Sequence, residues 1–356
     1  MKKPIRWMII FCLILLVVGA AAVKISLGPV GNSDDIVKFV AAEGDTYYSL
    51  APKLKEAKLI RSETAYKLYV KLTKPTSFQA GKYPMKQSMS VKEIVEMLEK
   101  NATYNPDAVI ILFPEGKNMR GIAKIIANNT NNTEEDVFAL LKDEAFIEEM
   151  IAKYWFLTPD IQNEQIYYPL EGYLFPDTYE FSGKDATVKE IFLVMLNETN
   201  KKLEPYKAEM QGGKYTIHEY MTLASIIEHE SWNSDDRAGI AGVFYNRLNA
   251  GWPLGSDVTT YYAVQVDMGE RDLYKSELEA YNAYNTRSSK MAGKLPVGPI
   301  CNPGIDSIKA AVRPAEHEYF YFAADKNRKT YFTKTYDEHK KVIADLKSKG
   351  LWYVHE

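Results

Sequence analysis

The chain has 356 residues, of which 46% are hydrophobic and 26% charged, enough apolar content for one large or two to three modest domains and too much for bulk disorder. Its 44 Lys and Arg against 47 Asp and Glu give a formal net charge of -3, with both signs interleaved along the chain. That balance excludes the basic footprint of a nucleic-acid binder, so no nucleic-acid partner is expected. The two cysteines, Cys12 in the apolar leader and Cys301 far downstream, cannot pair within one folded ectodomain and leave the redox compartment open.

In chain order, Lys2, Lys3 and Arg6 precede an uncharged run from Trp7 to Val23. As a helix that run covers about 25 Å, a little short of a hydrocarbon core of ~30 Å, and Ile5 and Ile25 extend it if Lys24 snorkels. The positive flank keeps residues 1–6 cytoplasmic and sends the rest across the cytoplasmic membrane. A retained single-pass anchor over 7–25 is favoured over a signal peptide cleaved near Gly19-Ala20-Ala21-Ala22. A linker follows over 26–35.

A first folded unit is expected over 36–104. Val37–Ala41 reads as a strand, and Asp45 as the cap of a helix presenting Leu50, Leu54 and Ala57. Ser62 opens a second helix, Phe78–Tyr83 returns as a strand, and Ser90 with Glu93 forms a capping box for a third helix. The remainder, 105–356, reads as a larger unit. Val109–Phe113 is a strand, Pro114-Glu115-Gly116 a turn, and Met119, Ile122, Ala123 and Ile126 mark a helix. Thr133 caps the next. Tyr167–Phe181 is aromatic and turn-rich. Helices return over 188–207, 216–231 and 234–250. Strands at 318–323 and 330–333 flank a hairpin tip at Asp325–Arg328, and a last helix spans about 337–349. The class is α+β.

Chemistry has few candidate carriers. His218, His229, His317, His339 and His355 form no HExxH and no Cys/His cluster, so no metal is expected. There is no Walker loop, no GxGxxG after a strand and no GxSxG elbow, so no cofactor is expected. Carboxylates remain. Met221, Ala224 and Glu228 stand at i, i+3 and i+7, which puts Glu228 at the edge of an apolar stripe. Apolar surroundings and a helix C-terminus would both favour the protonated form, as a general acid requires. Spacing alone leaves a solvated glutamate at a helix end as the commoner alternative. Glu230 points elsewhere on the helix, as a second candidate or a structural carboxylate. Asp257 follows a Gly-Trp-Pro-Leu-Gly-Ser loop and lines a cleft or stabilises a turn.

At these residues a resemblance appears. Leu223-Ala-Ser-Ile-Ile-Glu228-His-Glu230 resembles the catalytic signature of the endolytic murein transglycosylases, the YceG-like family. Further blocks resemble the family in order: Phe113-Pro-Glu115-Gly116, Leu170–Tyr179, Val243–Leu248, Leu254–Thr259, Tyr284-Asn285-Thr286 and Leu295–Gly304. The unit 36–104 resembles a LysM-like βααβ subdomain, and 105–356 the family's catalytic domain. Cys301, where the family usually has a small residue, and the loop Arg287–Gly293 depart from the pattern. The resemblance implies Glu228 as catalytic acid/base. It raises Glu230, Asn246, Asp257, Tyr284, Asn285 and Thr286 as substrate-binding candidates, each with a structural alternative. It also implies peptidoglycan glycan strands as substrate and cell-wall synthases as partners. A lytic transglycosylase needs one carboxylate, because the sugar's own 6-hydroxyl captures C1 and leaves a 1,6-anhydro-MurNAc end. A muramidase-like hydrolase using Asp257 or Glu230 as well, or a non-catalytic peptidoglycan-binding anchor, are the competing readings.

Overall fold

A computed structural model describes residues 19, 21–42, 44–100 and 108–352. The fold is mixed α+β and divides into two compact units, one ending at Ala108 and the other beginning at Val109. Most of the expected membrane anchor, 7–25, lies outside the described residues. Among the described residues no helix is long and apolar enough to cross a membrane.

In the first unit β1 (Ile36–Ala41) pairs antiparallel with β2 (Gly81–Lys86), Phe39 facing Tyr83. Two helices, α1 (Tyr47–Glu56) and α2 (Glu63–Thr73), connect them, and α3 (Val91–Lys100) follows. Leu50, Leu54, Tyr66, Tyr83, Ile94 and Leu98 form the core. The α1 cap is Thr46, whose hydroxyl accepts from Ser49 N, and not Asp45. Asp45 instead accepts from Ala42 N and Lys53 Nζ, tying the strand end to the helix. The return strand begins later than expected because Phe78 packs edge-on to Tyr47 before the strand starts; the inward alternation falls on Tyr83 and Met85.

The second unit opens with β3 (Val109–Leu112), paired antiparallel with β4 (Thr178–Phe181). Between them run α4 (Met119–Asn129), α5 (Glu134–Leu141) and α6 (Glu144–Lys153). Then come α7 (Val188–Leu203), α8 (Lys207–Gly212), α9 (Ile217–Glu230), α10 (Ser234–Asn249), α11 (Asp257–Ala263), α12 (Lys275–Glu279) and α13 (Ile305–Val312). The hairpin β5 (Tyr321–Ala324) and β6 (Thr330–Thr333) and the helix α14 (Tyr336–Ser348) close the unit. Helix α9 is its axis. Thr216 and Glu219 close a reciprocal capping box at its start, and every residue from Tyr220 to Ile227 is buried. A helix apolar all round must be surrounded; α9 packs on both α10 and α13. The one-sided apolar stripe expected from spacing is therefore too narrow a description. Asp257, expected on a loop, is instead the first residue of α11.

Candidate active site

Helix α9 ends at Glu230, with Ser231 as an extended C-cap, so Glu228 lies in its last turn, where the chain leaves the core. Around it converge three segments far apart in sequence. Gly116 N donates to Asn302 O, and Asn302 N donates to Lys117 O, which pairs the turn after β3 with the loop before α13. That loop is fixed to α9 from below: Ile300 N donates to Ser225 Oγ and the Cys301 thiol to Ser225 O. The third segment is the first turn of α10, which carries Arg237.

Both carboxylate oxygens of Glu228 are held. Oε1 accepts from Arg237 Nη2 at 3.0 Å, and Oε2 from the backbone N of Gly304 at 2.9 Å. The same Nη2 lies 4.0 Å from Glu115 Oε2, and Arg237 Nη1 lies 3.7 Å from Asp306 Oδ2. Three carboxylates thus share one guanidinium. They differ in access: the side chain of Glu228 is 6% exposed, that of Glu115 51%. The wall met by Glu228 is polar and cationic, which corrects the expectation of an apolar one. Two glycines allow this approach. Gly116 has φ +75°, open to glycine at little cost, and brings the turn against His229 and Glu228. At Gly304 a Cβ would stand 2.0 Å from Glu115 Oε1. Burial, then the negative charge of Glu228, pushes the Glu115 carboxyl above the ordinary glutamate value, against the pull of Arg237. Burial lowers His229, whose ring bonds to Gly116.

A cavity of about 210 Å³ opens beside this cluster, lined by Gly116, Lys117, His229, Tyr261, Tyr262 and Asp267 among others. A larger one, about 730 Å³, lies at the opposite end of α9 around Thr216, His218 and Glu219. Glu219 there is occupied in capping the helix through Thr216 N, and His218 is tied to Tyr173 and to Val297 O. The smaller cavity is the better candidate because Gly116 and His229, the chain neighbours of Glu115 and Glu228, line it.

The remaining residues named from sequence are placed as follows. Glu230 accepts from Ser256 Oγ, and burial pushes its carboxyl up. Asp257 is half-exposed and ion-paired to Arg287. Asn246 Nδ2 donates to His317 O and Tyr319 O, at 2.8 and 2.9 Å, fastening α10 to the chain before β5. Tyr284 is wholly buried among the rings of Tyr167 and Tyr262. Asn285 Nδ2 donates to the carbonyls of Glu277, Leu278 and Ala280, while its Oδ1 accepts from Thr260. Thr286 Oγ1 accepts from Ser256 N and meets Thr259 Oγ1. Glu230, Asp257 and Thr286 therefore gather around Ser256, whereas Glu228 gathers Arg237, Glu115 and Gly304. Sequence reasoning passed over Arg237 and Asp306, and took Glu115 and Gly304 only as parts of family blocks. Their one available signal was the pair of Gly-containing turns flanking Glu115 and Gly304.

The model of the YceG-like family matches residues 39–345. This chain belongs to that family. It is 39% identical over 331 residues, 92% of this chain and 90% of the relative, to a Bacillus subtilis protein named endolytic murein transglycosylase. A Streptococcus pneumoniae protein of the same name is 30% identical over 90% of this chain, which spans 60% of that relative. The crystal structure of a YceG-like protein from Listeria monocytogenes superposes with a TM-score of 0.61 at 33% identity, covering 87% of this chain and all of the other. In this YceG-like protein Glu228 stands in the last turn of α9, held by Arg237 and Gly304.

Proposed function

We propose that this YceG-like protein is an endolytic peptidoglycan lytic transglycosylase with Glu228 as its acid/base. It cleaves the MurNAc–GlcNAc bond of nascent glycan strands and terminates their elongation. The observation that carries the residue assignment is the double grip on one enclosed carboxylate by Arg237 and Gly304 N. In the reaction, Glu228 gives its proton to the glycosidic oxygen as the C1–O bond breaks. Arg237 balances the negative charge left on Glu228, and the protein environment supports the oxocarbenium-like centre. The 6-hydroxyl of the same sugar attacks C1 and passes its proton to Glu228. No water is consumed. Glu230, Ser256, Thr286 and Asn285 act as supports beneath the cleft, Asn246 and Tyr284 as packing residues, and Asp257 with Arg287 as its rim.

The finer layout belongs to the same proposal. Residues 7–25 anchor the chain in the cytoplasmic membrane, 36–104 form a LysM-like unit, and 105–356 act outside the cell beside the cell-wall synthases. Protease added to spheroplasts should then remove the large unit; release of a soluble, N-terminally trimmed chain would reject the anchor. The reaction is tested by mass spectrometry of digested peptidoglycan. Every cut should leave an anhydro end about 18 Da lighter than a hydrolytic reducing end, the mass of one water. Reducing MurNAc ends that carry heavy oxygen from labelled water would establish hydrolysis instead.

A further inference from the structure

We infer that Glu115 and Glu228 share a single proton across Arg237, with Glu115 holding it in the resting enzyme and Glu228 delivering it to the substrate. This rests on the acid/base reading of Glu228. The geometry divides the two roles. Both oxygens of Glu228 accept from N–H donors, one of them cationic, which leaves the enclosed carboxylate arranged as an anion. Glu115 touches the same nitrogen at the outer edge of contact, 4.0 Å, and its side chain is half-exposed toward solvent. Gly304 brings the two together, since any side chain there would displace the Glu115 carboxylate. With Asp306, three carboxylates meet one guanidinium and leave two negative charges unbalanced, and binding one proton halves that excess. The upward push on Glu115 from burial and from Glu228 acts in the same direction.

The surrounding charges are few. His229 faces the pair from α9, Arg237 from α10 and Asp306 from α13, with Lys117 in the turn beside Glu115. Asp306 further loads the shared guanidinium with negative charge and so favours keeping the proton. His229 is held toward its neutral form by burial. During turnover the proton passes from Glu115 to Glu228 and on to the glycosidic oxygen, as the C1–O electron pair leaves with that oxygen. The 6-hydroxyl oxygen bonds to C1 and its proton returns to Glu228, then to Glu115. Protons and electrons balance over the cycle. Glu115 acts here through Glu228, as a positioning residue for the proton.

The test is the pH dependence of anhydro-end formation by the full chain on purified peptidoglycan. In Glu115→Gln the carboxyl that stores the proton at rest is gone, and the alkaline limb of the rate should move to lower pH by about one unit. The rate above the limb should fall about tenfold, and activity should return on acidification. Glu115→Asp keeps the charge and should keep the wild-type limb even at a lower rate. A Gln variant with the wild-type profile, a Gln rate depressed equally at every pH, or an Asp limb displaced as far as that of Gln would each overturn the shared proton. Glu228→Gln separates the two readings. Its inactivity at every pH leaves the acid/base role standing whatever Glu115 does, while activity in it sinks that role itself.

Discussion

Glu171 offers a stability experiment whose sign and size follow from its surroundings. It is fully buried beneath the site, where its carboxylate accepts from Met119 N at 2.8 Å, Tyr262 OH at 3.0 Å and Asn302 Nδ2 at 3.3 Å. Burial outweighs these donors and pushes the carboxyl up to about 8 from an ordinary 4.5. Below about pH 4.5 both folded and unfolded chains are protonated there. Between that and about pH 8 the unfolded chain releases a proton that the folded one keeps. Stability from this group is therefore present at low pH and lost as pH rises through the folded value. At ~1.4 kcal/mol per unit the loss is on the order of 5 kcal/mol, a large share of a typical domain stability of about 5–15 kcal/mol. Glu171→Gln removes the titration but sets an amide N–H₂ against Asn302 Nδ2. Asn302 cannot simply flip, because its Oδ1 accepts from Leu174 N and its Nδ2 donates to Lys117 O. The variant should be ~1–3 kcal/mol less stable than wild type at pH 5. That deficit should shrink or reverse by pH 8. Urea unfolding of both proteins at pH 5, 6, 7 and 8 measures it, and the difference between them isolates Glu171 from other titrating groups. A wild-type-minus-variant difference that stays constant across this range would refute the reasoning.

Glu228→Gln keeps shape and loses the proton, so the rate of anhydro-end formation should drop at least ~100-fold while the melting temperature barely moves; near-wild-type turnover in a folded variant would remove Glu228 from the chemistry. Asn246→Ala leaves the carbonyls of His317 and Tyr319 without their donor and should cost ~1–3 kcal/mol in urea unfolding with little change in KM, whereas a raised KM at unchanged stability would return Asn246 to the cleft. Gly304→Ala fits its backbone at φ -73°, so stability should hold within ~0.5 kcal/mol. Its Cβ must nevertheless displace the Glu115 carboxylate, and activity should fall below wild type at neutral pH; full activity at pH 7 would mean the contact is dispensable.

Local signals in the sequence proved strongest where a helix or strand is specified by its own residues. The expected helix starts at Ser62 and Thr133 are N-caps whose side chains accept a backbone N–H, and the β5–β6 hairpin forms around Asp325. Strand β4 went unseen because Thr178–Phe181 is four residues at the end of an aromatic, turn-rich stretch, and its partner β3 lies on the far side of three helices. Polar character misled in one direction. Tyr284, Asn285 and Thr286 read as a polar turn open to sugar, yet their polar atoms are spent on chain carbonyls, amides and neighbouring hydroxyls inside the fold. Sequence cannot distinguish a buried hydrogen-bonding hub from an exposed one when the partners come from α11 and α12. Arg237 failed the opposite way. A lone cation near Asp235 and Asp236 in a helix's first turn reads as solvated surface, but its charge is turned inward to Glu228.

The construction of the site explains why its critical residues are scattered. Glu228 must remain close to a cation and a backbone donor, and α9 itself can supply neither, since its last-turn groups are carbonyls. The N–H therefore comes from Gly304, immediately before α13, and the cation from the first turn of α10, the two helices that pack on α9. Ser225, one turn below Glu228 on α9, holds the incoming loop through Ile300 and Cys301, so the donor and its acceptor are referenced to the same helix. Asn302 carries that reference across to Lys117 and Glu171, and so to the turn bearing Glu115. A displacement of either loop would alter the contacts of Glu115 and Glu228 together. Rigid coupling of this kind suits a proton that must be found at one carboxylate at rest and at the other during bond cleavage.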